Sequence, residues 1–148
     1  MTIKDAASDM LPQIEAIEKL CFSIPWTISQ LEHQILDENS IFIVAENENG
    51  CILGYVGMMT VLDEGYIANI AVAPEHRRKG VADALIEELE LRAREKSLAF
   101  MTLEVRESNT PAIGLYSKHG FTAVGVRRGY YEKPREDALL MTKFFSAN

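Results

Sequence analysis

Apolar residues along this chain switch between two spacings, every second position and every third or fourth, and the order of the switches predicts the fold. After a short strand at Thr2–Lys4, the residues Met10, Leu11, Ile14, Ile17, Leu20 and Cys21 fall at helical spacing, with Ser8 as the expected cap and Pro12 tolerated in the first turn. Thr27, followed three residues later by Gln30, is a capping-box pattern for a second short helix that ends near Asp37. The β-branched and aromatic run Ile41–Ala45 reads as a strand, and Asn49-Gly50 as the turn of a hairpin into Cys51–Thr60. Gly54 and Gly57 inside that second strand are expected at bulges or close backbone approaches. A third strand, Gly65–Val72, ends the meander before Pro74.

From Val81 the helical spacing returns: Val81, Ala82, Leu85, Ile86, Leu89 and Ala93 form one stripe, and the charged residues lie largely elsewhere, up to a stop near Lys96. Phe100–Val105 is the next strand. Asn109-Thr110-Pro111 opens a helix carrying Ala112, Leu115, Tyr116 and His119, and Gly120 stands at the usual C-terminal glycine position. Strands at Phe121–Val126 and Ala138–Phe144 then flank a loop containing Tyr130, Tyr131 and Pro134. The order β-αα-βββ-α-β-α-ββ predicts an α/β fold of the α+β type, with helices packed on one mixed central sheet. A doubly wound nucleotide fold would alternate strand and helix from the beginning. With 148 residues and no repeats or low-complexity linkers, the chain is expected to form a single domain, 1–148.

Composition narrows the partners. Hydrophobic residues make up 47% and charged residues 25% of the chain, an ordinary globular profile, and the formal net charge is -7. An acidic surface argues against nucleic acid and suits a basic polypeptide better. No stretch approaches the ~20 apolar residues of a membrane span, and the N-terminus has no signal-peptide core, so a cytoplasmic protein with no membrane partner is expected. Cys21 and Cys51 lack CxxC spacing and are expected to be reduced, buried thiols. His33, His76 and His119 form no ligand spacing, so no metal is expected.

The segment from Asn69 to Ala82 places an apolar strand, the basic turn His76-Arg77-Arg78-Lys79 and a helix start in immediate succession. Unpaired N–H groups and the positive dipole end at a helix start make an anion cradle, and Gly80 lets the backbone approach a ligand closely. The basic run on its own would also serve as a solvated loop. It is neither a Walker loop nor a GxGxxG fingerprint. Arg77-x-x-Gly80-x-Ala82 after such a strand instead resembles the R/Q-x-x-G-x-G/A motif of the GNAT acetyltransferases, with alanine in place of the commoner last glycine. Leu103-Glu104-Val105-Arg106-x-x-Asn109-x-x-Ala112-x-x-Leu115-Tyr116-x-x-x-Gly120-Phe121 is similar to the second half of that family's core in the N-terminal acetyltransferases. Phe22-x-x-Pro25-Trp26 and the Tyr130-Tyr131 segment followed by Glu136-Asp137-Ala138 strengthen the likeness to bacterial members that act on the N-terminal alanine of a small-subunit ribosomal protein.

The resemblance implies acetyl-CoA as co-substrate, with its pyrophosphate at Arg78, Lys79, Gly80, Val81, Ala82 and Asp83, and its pantetheine arm along the backbone of Ile70, Ala71 and Val72. The side chains of those three strand residues are, by their own chemistry, simply core. Asn109 is a helix cap by position, and the resemblance adds a contact to CoA. Attack on a thioester needs a neutral amine, so a base must remove a proton from an α-amino group, which is mostly protonated at neutral pH. Glu104 alternates away from Met101, Leu103 and Val105 and is either that base or a solvated face residue; the resemblance implies the base. Tyr116 is either a core aromatic or the acid that protonates the leaving thiolate, and the resemblance implies the acid. Phe22, Trp26, Tyr130 and Tyr131 are equally consistent with a wall for the acceptor and with ordinary packing. Three functions remain open: acetylation of a basic protein N-terminus, acetylation of a small amine, and a non-catalytic CoA-binding module.

Overall fold

The computed structural model describes residues 1–145. Its elements run β1 (Thr2–Asp5), α1 (Leu11–Cys21), α2 (Ile28–Leu36), β2 (Ser40–Glu46), β3 (Ile52–Val61), β4 (Glu64–Val72), α3 (Val81–Glu95), β5 (Phe100–Arg106), α4 (Thr110–Lys118), β6 (Thr122–Tyr131) and β7 (Glu136–Phe144). This is the order that the hydrophobic spacing predicts. One mixed sheet contains all seven strands in the order β1-β2-β3-β4-β5-β7-β6. Every pairing is antiparallel except β4 with β5.

Local chemistry accounts for most of the boundaries. At α2 the capping box forms as predicted: Gln30 N–H donates to Thr27 Oγ1 at 3.2 Å, and Thr27 N–H donates to Gln30 Oε1 at 2.8 Å. Ser8 does not cap α1. Residues Ser8–Met10 make a 3-10 turn that leads directly into the helix, and Met10 at the cap position supplies no side-chain bond. Pro12 in the first turn lacks one of the N–H groups that a cap would satisfy. Tyr130 and Tyr131 lie in β6 rather than in a loop, because Tyr131 still pairs with Glu136 of β7 beyond a register shift. Cys21 is half-buried and Cys51 is exposed, contrary to the expectation that both are buried. Asn47 Oδ1 accepts from the N–H groups of Asn49 and Cys51, so the hairpin turn that holds Cys51 stands clear of the core.

The sheet separates two apolar layers. On one face α3 and α4 cover Ile43, Val56, Met58, Met101, Leu103 and Val105. On the other, α1 and α2 cover Phe42, Val44, Tyr55 and Ala71. Burial of whole Leu, Ile or Phe side chains, worth about 1.5–3 kcal/mol each, makes these layers the main source of stability.

Candidate active site

The site begins where the sheet comes apart. Strands β4 and β5 pair only from Glu64–Tyr66 to Phe100–Thr102; beyond that Ile67–Val72 and Leu103–Arg106 have no ladder between them. A β-bulge marks the parting: Asn69 pairs with Gly57 and Ile67 with Met58, leaving Ala68 as the extra residue. Ala73 N–H donates back to Leu53 of β3, so by the alternation of an antiparallel ladder Ala71 faces β3, whereas the backbone groups of Ile70 and Val72 face the gap. The Val72 carbonyl already accepts from Arg77 Nε at 3.3 Å. Their side chains pack into the core, as their apolar chemistry requires.

Because β4 and β5 are parallel, the helices that follow them, α3 and α4, both begin at the same end of this gap. Gly80 caps α3 with φ 79°, and nothing stands within 4 Å of where a Cβ would be. Among the described residues no side chain bonds the first N–H groups of α3. Arg78 and Lys79 are exposed, and among the described residues neither is in an ion pair. Val81 is buried in the core, and Ala82 is half-buried beside it. The Asp83 carboxylate is engaged elsewhere: Lys118 at 2.6 Å and His119 at 2.8 Å hold it below the usual carboxylate range and tie α3 to the end of α4. Only its backbone N–H is therefore turned to the cradle. At α4, Asn109 Oδ1 accepts from Ala112 N–H at 3.2 Å, the cap that its position predicts.

Glu104 and Tyr116 lie on opposite faces of the sheet. Tyr116 comes from α4, is buried beside Phe121 with ring centroids 5.8 Å apart, and belongs to the layer under α3. Burial, and secondarily Tyr131, pushes its hydroxyl well above the ordinary tyrosine range, so it carries its proton at neutral pH. Glu104 points to the face that α1 and α2 leave bare, into an open depression of about 250 Å³ shared with Tyr66, Thr102 and Arg127. Arg127 Nε holds Glu104 Oε1 at 3.0 Å. Tyr131 spans the two environments, and burial, then the neighbouring Tyr130 and Glu104, push its hydroxyl up to about 12.

Of the aromatic residues proposed as a wall, Trp26 lies in the α1–α2 loop against the layer of α1, and Phe22 borders solvent. Tyr130 and Tyr131 stack edge to face at 5.0 Å, and the Arg106 guanidinium lies 4.5 Å over the Tyr131 ring. Arg106 also donates to the carbonyls of Pro134 (2.8 Å) and Glu132 (3.0 Å), fastening the β6–β7 turn to the end of β5. Sequence reasoning missed Arg127, because only the register of β6 against β7 and of β7 against β5 carries it to Glu104. It also missed the buried Glu18, which looks like one more polar position on an amphipathic helix.

These features agree with what known proteins share with the chain. The profile of the Acetyltransferase (GNAT) family matches residues 11–121. The chain is 34% identical to the ribosomal protein bS18-alanine N-acetyltransferase of Escherichia coli over 95% of each chain. It is 31% identical to an N-alpha-acetyltransferase of Saccharolobus solfataricus over 96% of this chain and 92% of that one. A crystal structure of the ribosomal-protein-alanine N-acetyltransferase from Escherichia coli superposes with a TM-score of 0.91 at 33% identity, covering 99% of this chain and 95% of the other. A sheet parted between β4 and β5, a glycine-capped helix at the parting and full-length kinship all point one way: the chain belongs to the GNAT family of acetyltransferases.

Proposed function

We propose that this chain, acting as a single N-acetyltransferase domain in the cytoplasm, transfers an acetyl group from acetyl-CoA to the N-terminal α-amine of a protein, the N-terminal alanine of the small-subunit ribosomal protein bS18. Family membership implies acetyl-CoA, which supplies the acetyl group as a thioester. The residues fit it: Arg78 and Lys79 are free to meet pyrophosphate, the space at Gly80 is open to it, and the first N–H groups of α3 lack side-chain partners. Ile70 and Val72 can bond an extended arm as a missing strand would, with Asn109 at the neighbouring helix start.

What supports the reading is that Glu104 lies on the bare face of β5 and Tyr116, from the helix that follows β5, lies on the covered face. A carboxylate on the bare face can take a proton from an incoming ammonium, directly or through water, while a buried hydroxyl on the other face can give one to a departing thiolate. Tyr116 carries its proton at neutral pH, as the acid role requires. The net charge of -7 favours a basic polypeptide at the bare face, with attraction that weakens as salt rises.

The test is acetyl transfer followed by mass spectrometry, offering an Ala-initiated basic peptide with the bS18 N-terminal sequence beside amino acids and polyamines. Modification of the peptide α-amine alone is expected. Transfer only to small amines would keep the family chemistry and overturn the acceptor; acetyl-CoA binding with no transfer to any amine would leave a binding module.

A further inference from the structure

Glu18 is 1% exposed, forms no ion pair among the described residues, and sits in α1 among Leu11, Ile14 and Ile17, where an apolar residue would pack at lower cost. Its carboxylate is satisfied by donors from three separate segments. The backbone N–H of Trp26 in the α1–α2 loop donates to Oε2 at 2.9 Å. The Tyr55 hydroxyl of β3 donates to Oε1, and Asn69 Nδ2 of β4 lies 3.4 Å from the same oxygen. Asn69 belongs to the bulge where β4 leaves β5, so the carboxylate joins the aromatic loop to the margin of the gap itself.

The loop end that it holds is also a wall. Trp26 borders an open depression of about 310 Å³, with His33 and Gln34 of α2 and Met59 of β3 along its sides. Met59 pairs with Tyr66, which lines the depression of Glu104, so the two hollows are neighbours on the bare side of the sheet. Gln34 is 3% exposed, and among the described residues its amide nitrogen and oxygen both lack a partner, leaving hydrogen-bonding capacity at the inner end of this hollow.

We infer that Glu18 is a positioning residue for the acceptor: its carboxylate fixes Trp26 beside the gap, and the hollow that Trp26 walls receives acceptor residues beyond the first. This rests on the acceptor entering from the bare face. A loop tethered by one buried charge-assisted bond loses its fixed position when the acceptor oxygen is removed, and the acceptor should then bind roughly tenfold or more weakly.

Trp26 is the only tryptophan, so its fluorescence reports the loop whether or not the protein turns over. Glu18→Ala is expected to red-shift the emission, increase quenching by acrylamide and raise the acceptor KM about tenfold, with kcat and acetyl-CoA affinity within twofold of the parent. Tyr55→Phe removes a neighbouring donor but not the bond to Trp26, and should leave emission and acceptor KM near parental values. Should Glu18→Ala fail to fold, Glu18→Gln decides, since its single oxygen must serve donors on both sides and the same changes should follow in smaller measure. Parental emission and KM in the folded variant would overturn the inference, as would equal rises in KM for Glu18→Ala and Tyr55→Phe with unchanged emission. If no peptide is acetylated even by the parent, the proposed acceptor is wrong, and the emission contrast between the two variants still tests the tether.

Discussion

The two halves of the sheet are built to different rules. In β2 and in Ile52–Met58 of β3 both faces are covered, with α1 and α2 on one and α3 on the other, and the buried run Ile41–Ala45 is correspondingly apolar without a break. In β5 and β7 only one face is covered, and along most of β6 neither is. Met101, Leu103 and Val105 turn inward while Thr102 and Glu104 turn to the bare side, and residues 122–128 of β6 are all exposed. Burial fixes the first half; the second leaves polar side chains at liberty to meet a substrate. The proposed chemistry would sit on the seam between them, where β4 parts from β5.

The sharpest way to break this comparison is on the accessible side. Glu104→Gln keeps the shape of the side chain but removes the proposed base, and kcat should fall about 10²–10⁴-fold with acetyl-CoA affinity unchanged. Single-turnover transfer and calorimetry read the two quantities separately. Next comes packing: Leu31→Ala, at a fully buried position under α2, should cost about 2–5 kcal/mol in denaturant unfolding. Val126→Ala, 55% exposed on β6, should stay within about 0.5 kcal/mol. Similar losses at both positions would erase the distinction between the halves.

A smaller effect is expected at the seam. Gly80→Asp forces a side chain into a backbone with φ 79° and sets a negative charge where pyrophosphate should rest. The strain alone is about 1–3 kcal/mol, and acetyl-CoA affinity should drop about tenfold or more by calorimetry. The smallest effect concerns Asp83. Its folded-state pKa is depressed, first by Lys118 and then by His119, so its stabilising contribution is present above the ordinary carboxylate range and lost as pH falls through the depressed value. The side chain is 31% exposed, so the pair is worth about 0.5 kcal/mol or less after solvent screening. Asp83→Asn should lower stability slightly at pH 7 and match the parent near pH 2 in parallel urea titrations.

The same contrast explains what could be read before folding was known. Covered elements announce themselves: the stripe Val81, Ala82, Leu85, Ile86, Leu89 and Ala93 predicted α3, and all of these but the half-buried Ala82 are buried. Strand β6 was legible only in part, since its exposed residues impose no alternation on Val124 to Tyr131 and pairing with β7 alone holds them. Glu104 was visible through its alternation, and Tyr116 through helical spacing, but neither spacing separates a reactive group from a packed one. Arg127 and Glu18 were invisible for another reason. Glu18 meets donors 37 and 51 residues away, and no local pattern encodes such a meeting.

The parting of β4 from β5 has one further consequence. An unpaired strand at the rim of a sheet invites other chains to add on and aggregate, and proteins guard such rims. Here the unpaired stretch of β4 lies in the interior of the sheet, with β3 behind it and β5 across the opening. That position leaves room for a slender arm able to bond like a strand but not for a second sheet, so this stretch of adhesive backbone is shielded from edge-to-edge pairing.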